Sequence, residues 1–165
     1  ASLYFLSFVP RPAGDLPPAE VESFARAGGI LRCTYADNLA DATCATASTS
    51  AAGHGAEHAV DGNSDTWWEA ADKSADAWLQ IDLEREAELD RLVLREAITN
   101  GQTIAAFRLL VEVGGEWQEV CSGGTVGRQR IAVFPPISVS RLRVALATTG
   151  APATLRDVGL YRGQD

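Results

Sequence analysis

The sequence predicts a mainly β chain, an antiparallel β-sandwich preceded by a short βα segment. Three observations predict it. Short runs rich in β-branched, leucine and aromatic residues recur between residues 77 and 161. Turn signals separate them at Asn100-Gly101, Gly114-Gly115, Gly123-Gly124 and Pro135-Pro136. Ahead of these runs, residues 1–37 carry one apolar strand and one helical pattern, and nothing after residue 38 has the period of a long helix.

In chain order, Leu3–Val9 is a nearly continuous apolar run, the pattern of a strand buried on both faces as in a parallel sheet. Pro10, Pro12, Gly14 and Pro17 end it. The spacing of Val21, Phe24, Ala25, Gly28 and Leu31 then predicts a helix over Pro18–Arg32, with Pro18 suited to its first turn and Glu20 and Glu22 to its N-terminus. One βα unit cannot cover its own strand, so residues 1–37 are expected to pair with a larger fold or a companion chain, and the opening on this strand suggests a fragment of something longer. Residues 38–165 are the sandwich. Ala42–Ala56 reads as an irregular loop, and strands are expected at Ala77–Leu83, Leu89–Arg95, Phe107–Val113, Trp117–Ser122, Arg130–Phe134, Arg141–Leu146 and Thr154–Tyr161. Leu142, Val144 and Leu146 alternate with Arg141 and Arg143, a half-buried strand.

Composition narrows the partners. The chain has 165 residues and 46% hydrophobic residues, which is globular, and no apolar run of membrane-spanning length. Leu3–Val9 is too short for a span and lacks the basic flank of a signal peptide. The net charge of −8, with no basic cluster, argues against nucleic acid and anionic membranes. Three cysteines, Cys33, Cys44 and Cys121, cannot all pair within one chain. A Cys33–Cys44 bridge is one option, but buried inert thiols are the expectation.

The most informative segment is His58–Trp68. It packs Asp61, Gly62, Asn63, Asp65 and Thr66 together, followed by Trp67 and Trp68. Hard cations such as calcium take oxygen ligands of these kinds, and the same residues also make a plain turn. The pattern Ala59-x-Asp61-Gly62-Asn63-x-x-Thr66-x-Trp68, then Trp78-Leu79-x-Ile81-Asp82-Leu83, then Asp157-x-x-x-Tyr161, resembles the discoidin domain, the C-type domain of coagulation factors and of many bacterial carbohydrate-binding modules. The resemblance implies a jelly-roll sandwich with a structural calcium under the loops of one end. Its ligands would be the Asp61 carboxylate, backbone oxygens of His58 and Asn63, the carbonyl and hydroxyl of Thr66, the carbonyl of Arg156 and the carboxylate of Asp157. Asp157 stands where a longer Glu is common.

Residues 1–37 resemble the last strand and helix of the (β/α)8 barrel of α-L-fucosidases, through Val9-Pro10, Arg11-Pro12-x-Gly14-Asp15-Leu16-Pro17, Gly28 and the exit Asp37-Asn38-Leu39-Ala40. Ser7 departs from the Asn usual in that strand. Leu94-Arg95-Glu96-Ala97-Ile98-x-x-Gly101-Gln102-x-Ile104-x-x-Phe107, Gly115-x-Trp117, Gly123-x-Thr125-Val126-Gly127-x-x-Arg130-Ile131 and Phe134-Pro135-Pro136 resemble the discoidin domain of bacterial fucosidases. A secreted or periplasmic bacterial protein would suit this, although the compartment stays open.

The resemblance implies the C-terminal portion of a retaining hydrolase of terminal α-linked fucose. Both carboxylates of such an enzyme lie on the barrel upstream of the last strand, so no catalytic residue is expected here. The expected partners are the rest of a fucosidase barrel, or a companion chain, and glycan. Sugar hydroxyls call for planar polar partners. Candidates on expected loops are Glu69, Arg95, Glu96 and Gln102, with His54, His58 and Asn100 behind them; for Arg95, Glu96 and Gln102 the alternative role is to hold the loops in place. Trp67, alternating with Trp68, is expected to face outward, either as a stacking surface for a sugar ring or as a packing contact with the barrel domain. Trp68, Trp78 and Trp117 are expected in the core, and His54 in solvent. The rival function is an autonomous carbohydrate-binding module that holds an enzyme near glycans.

Overall fold

The structure, a computed structural model, describes residues 17–32, 37–41, 43–73 and 76–163. The expected strand Leu3–Val9 lies outside the described residues. The chain divides into two compact units, Ala1–Thr34 and Tyr35–Asp165. In the first, helix α1 spans Pro18–Arg32, the range its period predicts. Pro17 O accepts from the N–H groups of Glu20 and Val21, so Pro18, which has no N–H, loses nothing at the first turn. Val21 and Ala25, on the apolar side of the pattern, are exposed.

Among the described residues, the second unit has eight strands: β1 (Cys44–Ala47), β2 (Trp68–Glu69), β3 (Ala77–Arg95), β4 (Ile104–Val113), β5 (Glu116–Gly123), β6 (Arg130–Thr148), β7 (Thr154–Leu155) and β8 (Asp157–Tyr161). All pairings are antiparallel. One sheet runs β1-β3-β6-β4-β5, with β8 also on β3, and β2 pairs β7. The two halves of β3 have different neighbours. β1 pairs residues 79–82 and β8 pairs residues 91–95. β6 follows the same plan, with β4 on its second half only. The halves therefore close over one core that joins Leu79, Ile81, Phe107, Leu109, Leu142 and Val144 to Leu89, Leu92, Leu94, Phe134, Val158 and Leu160. This is the antiparallel β-sandwich.

Where the sequence reading placed two strands and a break, the structure has one long bent strand. The β3·β6 register shifts between Asp82 and Ala87 and again between Leu89 and Arg91. Irregular pairing at Phe134–Pro136 lets Pro135 and Pro136 sit inside β6 without a missing ladder bond. Thr154–Tyr161, expected as one strand, changes partner at Arg156. β1 was not legible in Ala42–Ala56; Cys-Ala-Thr-Ala has little β-propensity of its own and is ordered by its edge pairing with β3. Cys44 is exposed there, contrary to the expected burial, while Cys121 is half-buried and burial pushes its thiol pKa up to about 11. Both are free thiols.

The β4–β5 hairpin follows its sequence closely. Val113 faces Glu116, and Gly114 and Gly115 have φ of 62° and 87°, the two positive values a tight primed turn needs. Asn38 fixes the chain at the entry to the sandwich: its Oδ1 accepts from Leu160 N at 2.8 Å and Ala40 N at 3.1 Å.

Trp68 is fully buried and donates Nε1–H to Thr49 O at 3.0 Å, as a core tryptophan should. Trp78 and Trp117 correct the reading. They lie on the outer face of the sheet, with the Arg143 guanidinium between them, 4.1 Å and 4.3 Å from the two ring centroids. Trp78 is out of phase with the buried Leu79 and Ile81, so the period-2 alternation carried this signal.

Candidate functional site

The loop at residues 61–66 is organised by the carboxylate of Asp61. Its Oδ1 accepts from Asn63 N at 2.9 Å, and its Oδ2 accepts from Thr66 Oγ1 at 2.7 Å and lies 3.2 Å from His58 Nδ1. Asn63 Oδ1 in turn accepts from Asp65 N at 3.0 Å, so Asp65 shapes the turn through its backbone. Gly62 has φ of 67°, which allows the reversal. Burial raises the Asp61 pKa, but the hydrogen bonds from Asn63, Thr66 and His58 together leave it below its ordinary value.

Opposite this loop stands the start of β8. Gly62, Asn63, Ser64, Arg95, Arg156 and Asp157 line one cavity of about 230 Å³. Asp157 is directly across the ladder from Arg95, whose Nη1 donates to its carboxylate, while Arg95 Nε donates to Gln129 Oε1 at 3.3 Å. Burial pushes the Asp157 pKa up. Arg95 pulls it down without cancelling that, and the charges of Asp41 and Asp61 push it further up. Six of the residues expected around a cation therefore gather at one end of the sandwich: His58, Asp61, Asn63 and Thr66 on the loop, Arg156 and Asp157 on the closing segment. Among the described residues no three His, Cys, Asp or Glu side chains group closely enough to hold a metal by themselves. A cation here would depend on carbonyl and hydroxyl oxygens as well as the two carboxylates, an all-oxygen donor set of the kind calcium takes.

The proposed glycan contacts separate into two groups. Trp67 is half-exposed, stacks on His54 with ring centroids 4.3 Å apart, and donates Nε1–H to Glu69 Oε2 at 3.2 Å. His54 Nδ1 lies 3.2 Å from Trp67 O, so His54 is a packed partner of the indole and not a free solvent group. Trp67, His54 and Glu69 thus form one aromatic and polar cluster.

Glu96 is different. It is 2% exposed, which removes it from direct contact with a ligand. Its Oε1 accepts from the N–H and hydroxyl of Thr103 and from Ile104 N, and its Oε2 accepts from Gly127 N at 3.0 Å. One carboxylate thereby ties the segment at residues 101–104 to the turn at Gly127. Gln102 is exposed and lays its amide over Gly127, where a Cβ would meet Gln102 Nε2 at 2.5 Å. Arg95 belongs with Asp157. Asn100 closes a short 3-10 turn, Ile98–Asn100. Sequence reasoning missed Gln129, which accepts from Arg95, and Asp41, whose charge acts on Asp157; only the fold brings these two loops here.

One loop-rich end of the sandwich thus carries an aromatic cluster and a cavity bordered by Asn63, Ser64, Asp157 and two arginines. The chain belongs to the F5/8 type C domain family, which it matches over residues 44–158. It is homologous to the C-terminal part of GH29 α-L-fucosidases. It is 25% identical to alpha-L-fucosidase 1 of Arabidopsis thaliana over 96% of this chain and 33% of that protein. The crystal structure of SpGH29 superposes with a TM-score of 0.76 at 28% identity, covering 90% of this chain and 33% of the other. Chitosan-binding module 2 of the chitosanase/glucanase from Paenibacillus sp. IK-5, solved with chitotriose, gives a TM-score of 0.68 at 26% identity, covering 75% of this chain and 99% of the module. The chain spans about a third of the length of the curated relatives it matches.

Proposed function

We propose that this chain is the C-terminal accessory region of an α-L-fucosidase, non-catalytic itself, supporting a catalytic barrel and contacting glycan through the end that carries Trp67. One observation carries this reading. The likeness to fucosidases runs through 96% of the chain and so includes the segment ahead of the sandwich, whereas the chitosan-binding module derived from a chitosanase/glucanase covers 75%. The family model begins at residue 44, and the segment ahead of it is read as the last βα unit of a (β/α)8 barrel over 1–37, with the sandwich from 38 to 165. An autonomous module would have no use for it. The test is fucose release by this chain alone and by the chain joined to a catalytic barrel.

Within this reading, calcium is the proposed structural cofactor. Asp61, Thr66, Asp157 and the carbonyls of His58, Asn63 and Arg156 would hold it, and it would offset the negative charge of Asp61 that helps push the Asp157 pKa up. Saturating calcium at 100 times its Kd would stabilise the domain by about 2.7 kcal/mol. Chelator is therefore expected to lower the melting temperature of the wild type and to leave Asp61→Ala unchanged. A melting curve of the calcium-loaded wild type that does not move with chelator retires the cofactor.

A further inference from the structure

The outer face of the sheet holds a groove that the loop-end site does not use. Trp78 on β3 faces Ala145 on β6, and Ala145 faces Arg108 on β4. One step along, Ala147 faces Ala106. Three alanines thus make a low floor between an indole wall and a guanidinium wall. Leu110, Arg143 and Asp76 complete a cavity of about 380 Å³, within the range of roughly 300–1,000 Å³ of small-molecule sites.

Charge on this face is unevenly matched. Arg141 is satisfied by Asp82 and Glu112, which flank it on the neighbouring strands. Arg143 instead donates Nη2–H to the neutral Gln80 amide at 2.8 Å and is held between two indoles. Its buried Nε has no partner among the described residues. Arg108 is 59% exposed and reaches Glu119 only at 4.0 Å. Two guanidinium groups, Arg108 and Arg143, and one carboxylate, Asp76, therefore border one groove on a chain whose net charge is −8. The stacking fixes Arg143 in place, so pairing with an anion there immobilises little further.

We propose that this groove is a second saccharide site, for a pyranose that carries a carboxylate. The apolar floor and Trp78 take the C–H face of the ring, and the carboxylate lies between Arg108 and Arg143, where a planar guanidinium gives charge-assisted hydrogen bonds. This goes beyond the accessory role and does not rest on it.

The experiment is calorimetric titration of the chain with trigalacturonate, its methyl ester and sialyllactose, which present the carboxylate on an internal and on a terminal ring. At least one acidic probe is expected to bind, with affinity falling as salt rises. The methyl ester, and the Arg108→Ala variant with the acidic probe, are each expected to bind about tenfold more weakly. Arg108 is exposed, so the variant keeps the wild-type melting temperature. Trp67→Ala, at the loop end, leaves the affinity unchanged, and Ala145→Leu, which fills the floor, removes it. Binding of neither acid, equal binding of acid and ester, or binding indifferent to Arg108→Ala overturns the proposal.

Discussion

Glu96→Ala is expected to destabilise the sandwich by about 3–5 kcal/mol, read as a lower urea midpoint with the slope unchanged. The side chain is buried and its two oxygens accept from four donors. Removing it leaves the N–H groups of Thr103, Ile104 and Gly127 facing a void. A buried donor without a partner costs about 1–3 kcal/mol, because it has given up water and gained nothing. Glu96→Gln keeps the shape but turns an NH2 group toward at least one N–H, so an intermediate loss of about 2 kcal/mol is expected. If both variants melt like the wild type, the carboxylate does not hold these segments together.

Trp68→Ala is expected to cost a similar amount, about 3–5 kcal/mol, for a different reason. Trp68 is fully buried where β2 pairs with β7, opposite Leu155. Its loss opens a cavity beneath the loop that carries Trp67 and Asp61. Trp68→Phe fills most of that space but gives up the bonds to Thr49 O and Ser50 Oγ, a loss of about 1–2 kcal/mol. Thermal denaturation of the two variants against wild type checks the order. A phenylalanine variant less stable than the alanine variant would mean that the indole is not a core group.

Much of the fold was legible because the sandwich alternates. Arg141, Leu142, Arg143, Val144 and Leu146 fall on alternate faces as their chemistry dictates, and Gly114-Gly115 marks a two-residue turn unambiguously. What was not legible depends on partners remote in sequence. β1 forms from four small residues because β3 offers an edge. Pro135-Pro136 reads as a stop, yet an irregular register absorbs it. The same distinction holds at the site. Asp61, Asn63 and Thr66 are close in sequence, and their mutual hydrogen bonds follow from that. For Glu96 the sequence allows a sugar contact or a loop-holding role, and the fold shows the second, with the carboxylate facing inward to three backbone N–H groups. Arg95 and Asp157 are 62 positions apart and meet through the β3·β8 register. Trp78 was misplaced through reliance on aromatic character in place of phase.

The accessory, non-catalytic reading is tested most directly by measuring fucose released from an aryl α-L-fucoside. Retaining cleavage needs two carboxyl groups about 5–5.5 Å apart across a bound sugar. Here Glu96 is occupied by backbone donors and Asp157 by Arg95, while Glu69 accepts from Trp67 Nε1. The purified chain is expected to release no fucose above the buffer rate, and the chain joined to a catalytic barrel is expected to turn over. Release of fucose by the chain on its own, retained through purification to homogeneity, would contradict the account.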